Sequence, residues 1–143
     1  MERIDFYILA APDLQAGALF ACRLADKAFG QGLRIYVRVR DRQQALQLDE
    51  LLWTFRQGSF LPHALAERAP DEPIVLGEQP PAEPQHDLII NLATDPPAHW
   101  QNYRRLAEVV VQAPAELEQA RARFRLYRDH GHAPNYHKLE RES

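Results

Sequence analysis

Three arginines near the C-terminus, Arg121, Arg125 and Arg128, recur at intervals of four and three residues and flank Phe124 and Tyr127. On a helix this spacing lines the three cations along one stripe and leaves Arg123 on another face. Guanidinium groups four apart repel each other unless they meet anions, and their planar forks bind carboxylates in bidentate fashion. A cationic stripe bordering aromatic side chains suits a peptide that carries acidic residues and a terminal carboxylate beside an apolar ring. The same stripe also reads as a solvated helix face whose charges complement the C-terminal end of the helix dipole. Spacing alone does not choose between them.

A second candidate lies in the stretch from Leu48 to Leu65, LDELLWTFRQGSFLPHAL. Leu48, Leu51, Leu52 and Phe55 are spaced for one helix face, and Trp53 falls off that face. A Gly58-Ser59 turn then leads into Phe60, Leu61 and Pro62. Tryptophan buries a large area at little entropic cost and is enriched at interface centres. Trp53 and Phe60 therefore mark either a docking patch, partly exposed in the isolated chain, or the cover of a small hydrophobic core.

Other chemistry finds less support. The first strand–helix turn, Leu9-Ala10-Ala11-Pro12-Asp13-Leu14, has no glycine and matches neither GxGxxG nor GxxxxGK[ST]. Glycine permits close backbone approach to a phosphate, and Asp13 would repel one, so nucleotide binding loses its usual device. His130, His132 and His137 form an H-x-H-x4-H pattern with no cysteine or carboxylate cluster, which reads as a solvated tail and not a metal site. Cys22 lies among alanines at helical spacing and reads as a small buried hydrophobe, not a nucleophile. No Ser-His-Asp or Cys-His arrangement stands out. The residues thus indicate no catalytic constellation, no metal and no cofactor.

The elements that must position the two candidate surfaces follow from periodicity. Ile4–Leu9 and Leu33–Val39 read as strands, separated by a helix from Leu14 to Phe29 that stops at Gly30-Gln31-Gly32. Asp41 caps a second helix running through Phe55. Pro70 to Pro84 holds five of the eleven prolines, so it reads as loop around one short strand, Ile74-Val75-Leu76. Asp87–Leu92 and the AEVVVQA stretch around Glu108–Val111 read as strands, and Trp100, Tyr103 and Leu106 between them suggest a short helix. Pro114–Arg128 is a strong helix with Leu117, Ala120, Phe124 and Tyr127 on one face. Strands alternating with helices predict an α/β fold in a single domain, 1–143, with a mostly parallel sheet flanked by helices.

Composition agrees. At 143 residues with 45% hydrophobic and 26% charged residues, the chain suits one globular domain with a real core. A net charge of −3 argues against a general nucleic-acid binder, so any link to DNA is expected to be indirect. No apolar run approaches the roughly 18 residues of a membrane span. A single cysteine and an N-terminus without an apolar signal segment suggest a reducing cytoplasm.

Several blocks together resemble the chi subunit family of bacterial DNA polymerase III. They are FYIL at Phe6–Leu9, LDELLW at Leu48–Trp53, SFLPHAL at Ser59–Leu65, DLIINL at Asp87–Leu92 and ARARFRLYRDHG at Ala120–Gly131. The SFxPH segment after an L-D-x-x-L-W helix is the specific part. The resemblance implies a fold like a mononucleotide-binding domain without its phosphate loop. It also implies a non-catalytic accessory subunit of a holoenzyme that has DNA-directed DNA polymerase activity.

Two partners are implied. One is the psi subunit of the clamp loader, as a heterodimer, for which Trp53 and Phe60 match the family's buried rings and Pro62 lies beside them. The other is the acidic, phenylalanine-terminated C-terminal tail of single-stranded-DNA-binding protein, for which Arg121 and Phe124 match the family's basic and aromatic positions. The family can place a lysine one turn before that arginine, where this chain has Leu117 and Glu118; helix spacing makes Arg125 or Arg128 the substitute. The implied location is the cytoplasm, at the nucleoid-associated replisome. The competing reading from the residues is a nucleotide- or ligand-binding α/β enzyme domain of unknown substrate, and a third is an interaction domain with a partner outside replication.

Overall fold

The computed structural model describes residues 1–58 and 60–140; Ser59, which opens the SFLPHAL block, and residues 141–143 lie outside them. Seven parallel strands form one sheet: β1 Arg3–Ile8, β2 Ile35–Arg38, β3 His63–Leu65, β4 Ile74–Gly77, β5 Leu88–Asn91, β6 Arg105–Val110 and β7 Asn135–Lys138. Their order is β3-β4-β2-β5-β6-β1-β7. Three helices, α1 Leu14–Gly30, α2 Arg42–Thr54 and α3 Pro114–Asp129, make the crossovers β1 to β2, β2 to β3 and β6 to β7.

Alternation along the inner strands feeds two cores. Ile35, Val37, Leu88, Ile90, Ala107 and Val109 pack with α1 and α2 on one face. Tyr36, Ile89, Leu106 and Val110 pack with α3 and Trp100 on the other. Burial on both faces is why these strands read as continuous apolar runs. Asp41 caps α2 by accepting a 2.8 Å hydrogen bond from the Gln44 amide. Gly32 closes α1 with φ 84°, where Leu33 N–H reaches back to the Ala28 carbonyl at 3.1 Å. Cys22 is buried, and burial pushes its thiol up to about 12, as the helical alanine context predicts.

Three expectations need correction. Trp100–Asn102 is a single 3-10 turn, and Leu106 belongs to β6 instead of a helix shared with Trp100 and Tyr103. The stretch carrying His137 is not a solvated tail. Asn135–Lys138 forms edge strand β7 against β1, with the His137 ring stacked on Tyr7 at 4.9 Å and its Nε2 2.9 Å from Asp5 Oδ1. His130 and His132 stand edge-on to Trp100 at 5.8 and 5.4 Å. Finally, His63–Leu65, which has no strand pattern, forms the opposite edge, β3. Among the described residues no helix is long and apolar enough to cross a membrane.

Candidate functional site

The arginine stripe borders a cavity. Arg121, Arg125 and Arg128 project from α3 around a recess of about 410 Å³, with Leu117, Ala120 and Phe124 from the same helix, Phe6 and Ile8 from β1, and Tyr136 from β7. Its size falls within the usual range for ligand sites. Phe124 is half-buried against Phe6 with ring centroids 5.3 Å apart, so the floor is aromatic and fixed. The three arginine side chains are exposed and make no ion pair or side-chain hydrogen bond among the described residues. Their charge is therefore directed at solvent, beside an apolar floor. Such a site can receive an anion attached to an apolar group.

The orientation of α3 is set from below. Arg123, on the face turned away from the stripe, is buried, and its Nε lies 3.1 Å from Glu108 Oε1 on β6. Tyr127 donates to Glu108 Oε2 at 2.6 Å, the Asn91 amide donates to Oε1 at 2.9 Å, and Arg123 Nη1 donates to the Thr94 carbonyl at 2.6 Å. Burial pushes the Glu108 carboxyl above its ordinary range, while Arg123 and the donors from Tyr127 and Asn91 pull it back. Burial pushes the Tyr127 phenol up, reinforced by Glu108. Periodicity shows that Arg123 leaves the stripe, but not that it enters the core. Its partner comes from β6, where Glu108 is the lone carboxylate among apolar residues that follow Arg105, and that carboxylate was the available signal.

Trp53, Phe60 and Pro62 all lie toward the opposite edge of the sheet, at the end of α2 and just ahead of β3. Trp53 is 56% exposed near the end of α2, and Phe60 is 85% exposed ahead of β3. Pro62, directly before β3, is half-buried. The rings do not cover a small core; they form an exposed apolar patch. One face of Trp53 packs on the His63 ring at 4.6 Å. The buried His63 ring bridges two segments, with Nδ1 2.7 Å from the Leu61 carbonyl oxygen and Nε2 3.1 Å from that of Asp49 on α2. A histidine in an edge strand thus ties the segment that carries Phe60 and Pro62 to the helix that carries Trp53.

Sequence reasoning therefore names most of both patches but misses Tyr136, His63 and Lys138. Tyr136 sits in register with Phe6, and Lys138 with Ile8, so both stand on the α3 face of β7 beside the cavity. Lys138 is exposed. The alternation of Asn135-Tyr136-His137-Lys138 after Pro134 is the one local hint of a strand there. Among the described residues no group of three His, Cys, Asp or Glu side chains is arranged to hold a metal ion.

Residues 1–135 match the family model described as DNA polymerase III chi subunit, HolC. A Pseudomonas aeruginosa protein named DNA polymerase III subunit chi is 42% identical over 141 residues, covering 99% of each chain. Proteins of the same name from Escherichia coli and Haemophilus influenzae are 28% identical over 135 residues and 29% identical over 132. The first covers 90% of this chain and 92% of the relative, and the second 89% and 90%.

Proposed function

This chain belongs to the DNA polymerase III chi subunit family, a family of DNA replication, and from that premise we propose that it works as a non-catalytic adaptor with two docking edges. The α3 edge takes the acidic C-terminal tail of single-stranded-DNA-binding protein. The tail's carboxylates meet Arg121, Arg125 and Arg128, and its terminal ring enters the cavity floored by Phe124 and Phe6. The β3 edge takes the psi subunit of the clamp loader, whose apolar surface covers Trp53, Phe60 and Pro62. The chain meets DNA only through these partners, in the bacterial cytoplasm.

The observation that carries this reading is the set of three unpaired arginines around an apolar cavity. A carboxylate-bearing aromatic residue satisfies both halves of that site at once. The sheet runs seven strands from edge to edge, six spacings of about 4.8 Å or roughly 29 Å, so two partners fit without competing. Each link is modest alone, and many tails along coated single-stranded DNA raise the effective affinity.

Titrating the full chain with a synthetic oligo-aspartate peptide ending in a free-carboxylate phenylalanine tests the tail site. Arg121→Ala and Arg125→Ala should each weaken binding about tenfold or more, the usual size of a lost charged hydrogen bond. Amidating the terminal carboxylate should weaken it too, and rising salt should weaken every charged contact. Unchanged binding by Arg121→Ala would overturn the assignment.

A further inference from the structure

The cavity beside α3 opens onto a strand edge that no other described strand pairs with. β7 is the last strand of the sheet and pairs only with β1. Leu139 N–H donates to the Ile8 carbonyl at 2.9 Å, which fixes the phase of the parallel ladder. Asn135, His137 and Leu139 therefore turn their backbone groups toward β1. Tyr136 and Lys138 turn theirs outward, with no partner among the described residues. The same two residues carry their side chains on the α3 face, in register with Phe6 and Ile8 of the cavity floor. Tyr136 thus joins an outward backbone to the cavity wall, and Lys138 continues the same edge on the same face.

We infer that the acidic peptide is held as an added strand: it leaves the cavity extended along β7, and its backbone hydrogen-bonds to Tyr136 and Lys138. This rests on the tail-binding reading above and specifies how the tail lies. An exposed edge is a template for any extended chain unless proline, a bulge or a covering element blunts it. β7 has four regular residues and no proline, and among the described residues no strand pairs with its outer side. Lys138 supplies the selection, because a cation at the edge discourages pairing by basic or apolar strands and attracts an acidic one. Side chains alternate along an added strand, so every second residue of the peptide would face the arginines of α3. The edge also brings a cation to the site from outside α3, which bears on the lysine that Leu117 and Glu118 replace.

Hydrogen exchange on the full chain, free and bound to the oligo-aspartate peptide ending in phenylalanine, reads the inference directly. The Tyr136 and Lys138 amides should gain protection of about tenfold or more, while the His137 amide, already directed at β1, changes little. Peptides N-methylated at alternate amides give the second readout. Methylation in one register should weaken binding about fivefold or more, and in the other register leave it unchanged. If the peptide binds but neither amide gains protection and both methylated registers bind alike, strand addition is wrong and the arginine site stands. If the unmodified peptide does not bind the native chain, both readings fall.

Discussion

The β3 edge and the β7 edge both display exposed aromatic rings, yet they are held to the molecule by different forces. At β3 the supports are packing and local geometry: Trp53 lies on His63, and His63 bridges the carbonyls of Leu61 and Asp49. At β7 the supports are charged and remote in sequence. Asp5 accepts from Asn135 and pairs with His137 and Arg3, and α3 is moored through Arg123 and Tyr127 to the buried Glu108. An apolar patch needs only to be displayed, because hydrophobic association is non-directional. A site that reads carboxylates needs its guanidinium groups aimed, because charge-assisted hydrogen bonds are directional. The edge proposed to read carboxylates carries the more elaborate mooring.

The largest effect that would sharpen this contrast is on stability. Glu108→Gln leaves the Arg123 charge buried without its counter-ion, so urea unfolding should show a loss of about 3–5 kcal/mol. Trp53→Ala, at an exposed position, should cost within about 0.5 kcal/mol in the same assay. A Glu108→Gln loss below about 1 kcal/mol would mean that α3 is held by apolar packing alone, and the contrast between the edges would dissolve.

Next in size is a separation of partners. Trp53→Ala should weaken association with the psi subunit by about 2 kcal/mol or more, as for a central interface ring, while leaving acidic-peptide binding unchanged. Phe60→Ala should act in the same direction. Calorimetry against both partners would show it, and loss of peptide binding in either variant would mean that the edges are not independent.

The smallest expected effect concerns acid. Burial raises the Asp5 carboxyl, but hydrogen bonds from His137 and Arg3 outweigh it and hold the group below its ordinary range. A carboxylate depressed in the folded state adds stability above its unfolded value and loses that contribution as pH falls through the folded one. The native chain should therefore lose Tm as pH drops below about 4, the unperturbed aspartate range, with the β7 amides exchanging first. Asp5→Asn should flatten that acid slope. An unchanged slope would remove Asp5 from the account of β7.

Legibility in the sequence followed the number of neighbours each segment has. β1, β2, β4, β5 and β6 are flanked by strands on both sides and covered on both faces, so IDFYIL, LRIYVRV, IVL, DLIINL and AEVVVQA read plainly as strands. β3 and β7 have one neighbour each. His63-Ala64-Leu65 and Asn135-Tyr136-His137-Lys138 need no apolar run, and neither shows one. Because both candidate patches lie at those edges, the least legible strands border the candidate sites.

Local spacing was enough for the α/β class, the three helices and their apolar faces, the Asp41 cap, the arginine stripe and the surplus Trp53. These follow from spacing within a dozen or so residues, where backbone geometry alone fixes which side chains share a face. Packing of distant segments was needed to turn Arg123 inward to Glu108, to enclose a cavity between the stripe, Phe6 and Tyr136, and to leave Trp53 and Phe60 exposed. It also decided that the C-terminal histidine stretch becomes an edge strand instead of a tail. Each of these joins residues far apart in the chain, and local periodicity carries no information about which distant segment will arrive to satisfy a charge or cover a ring.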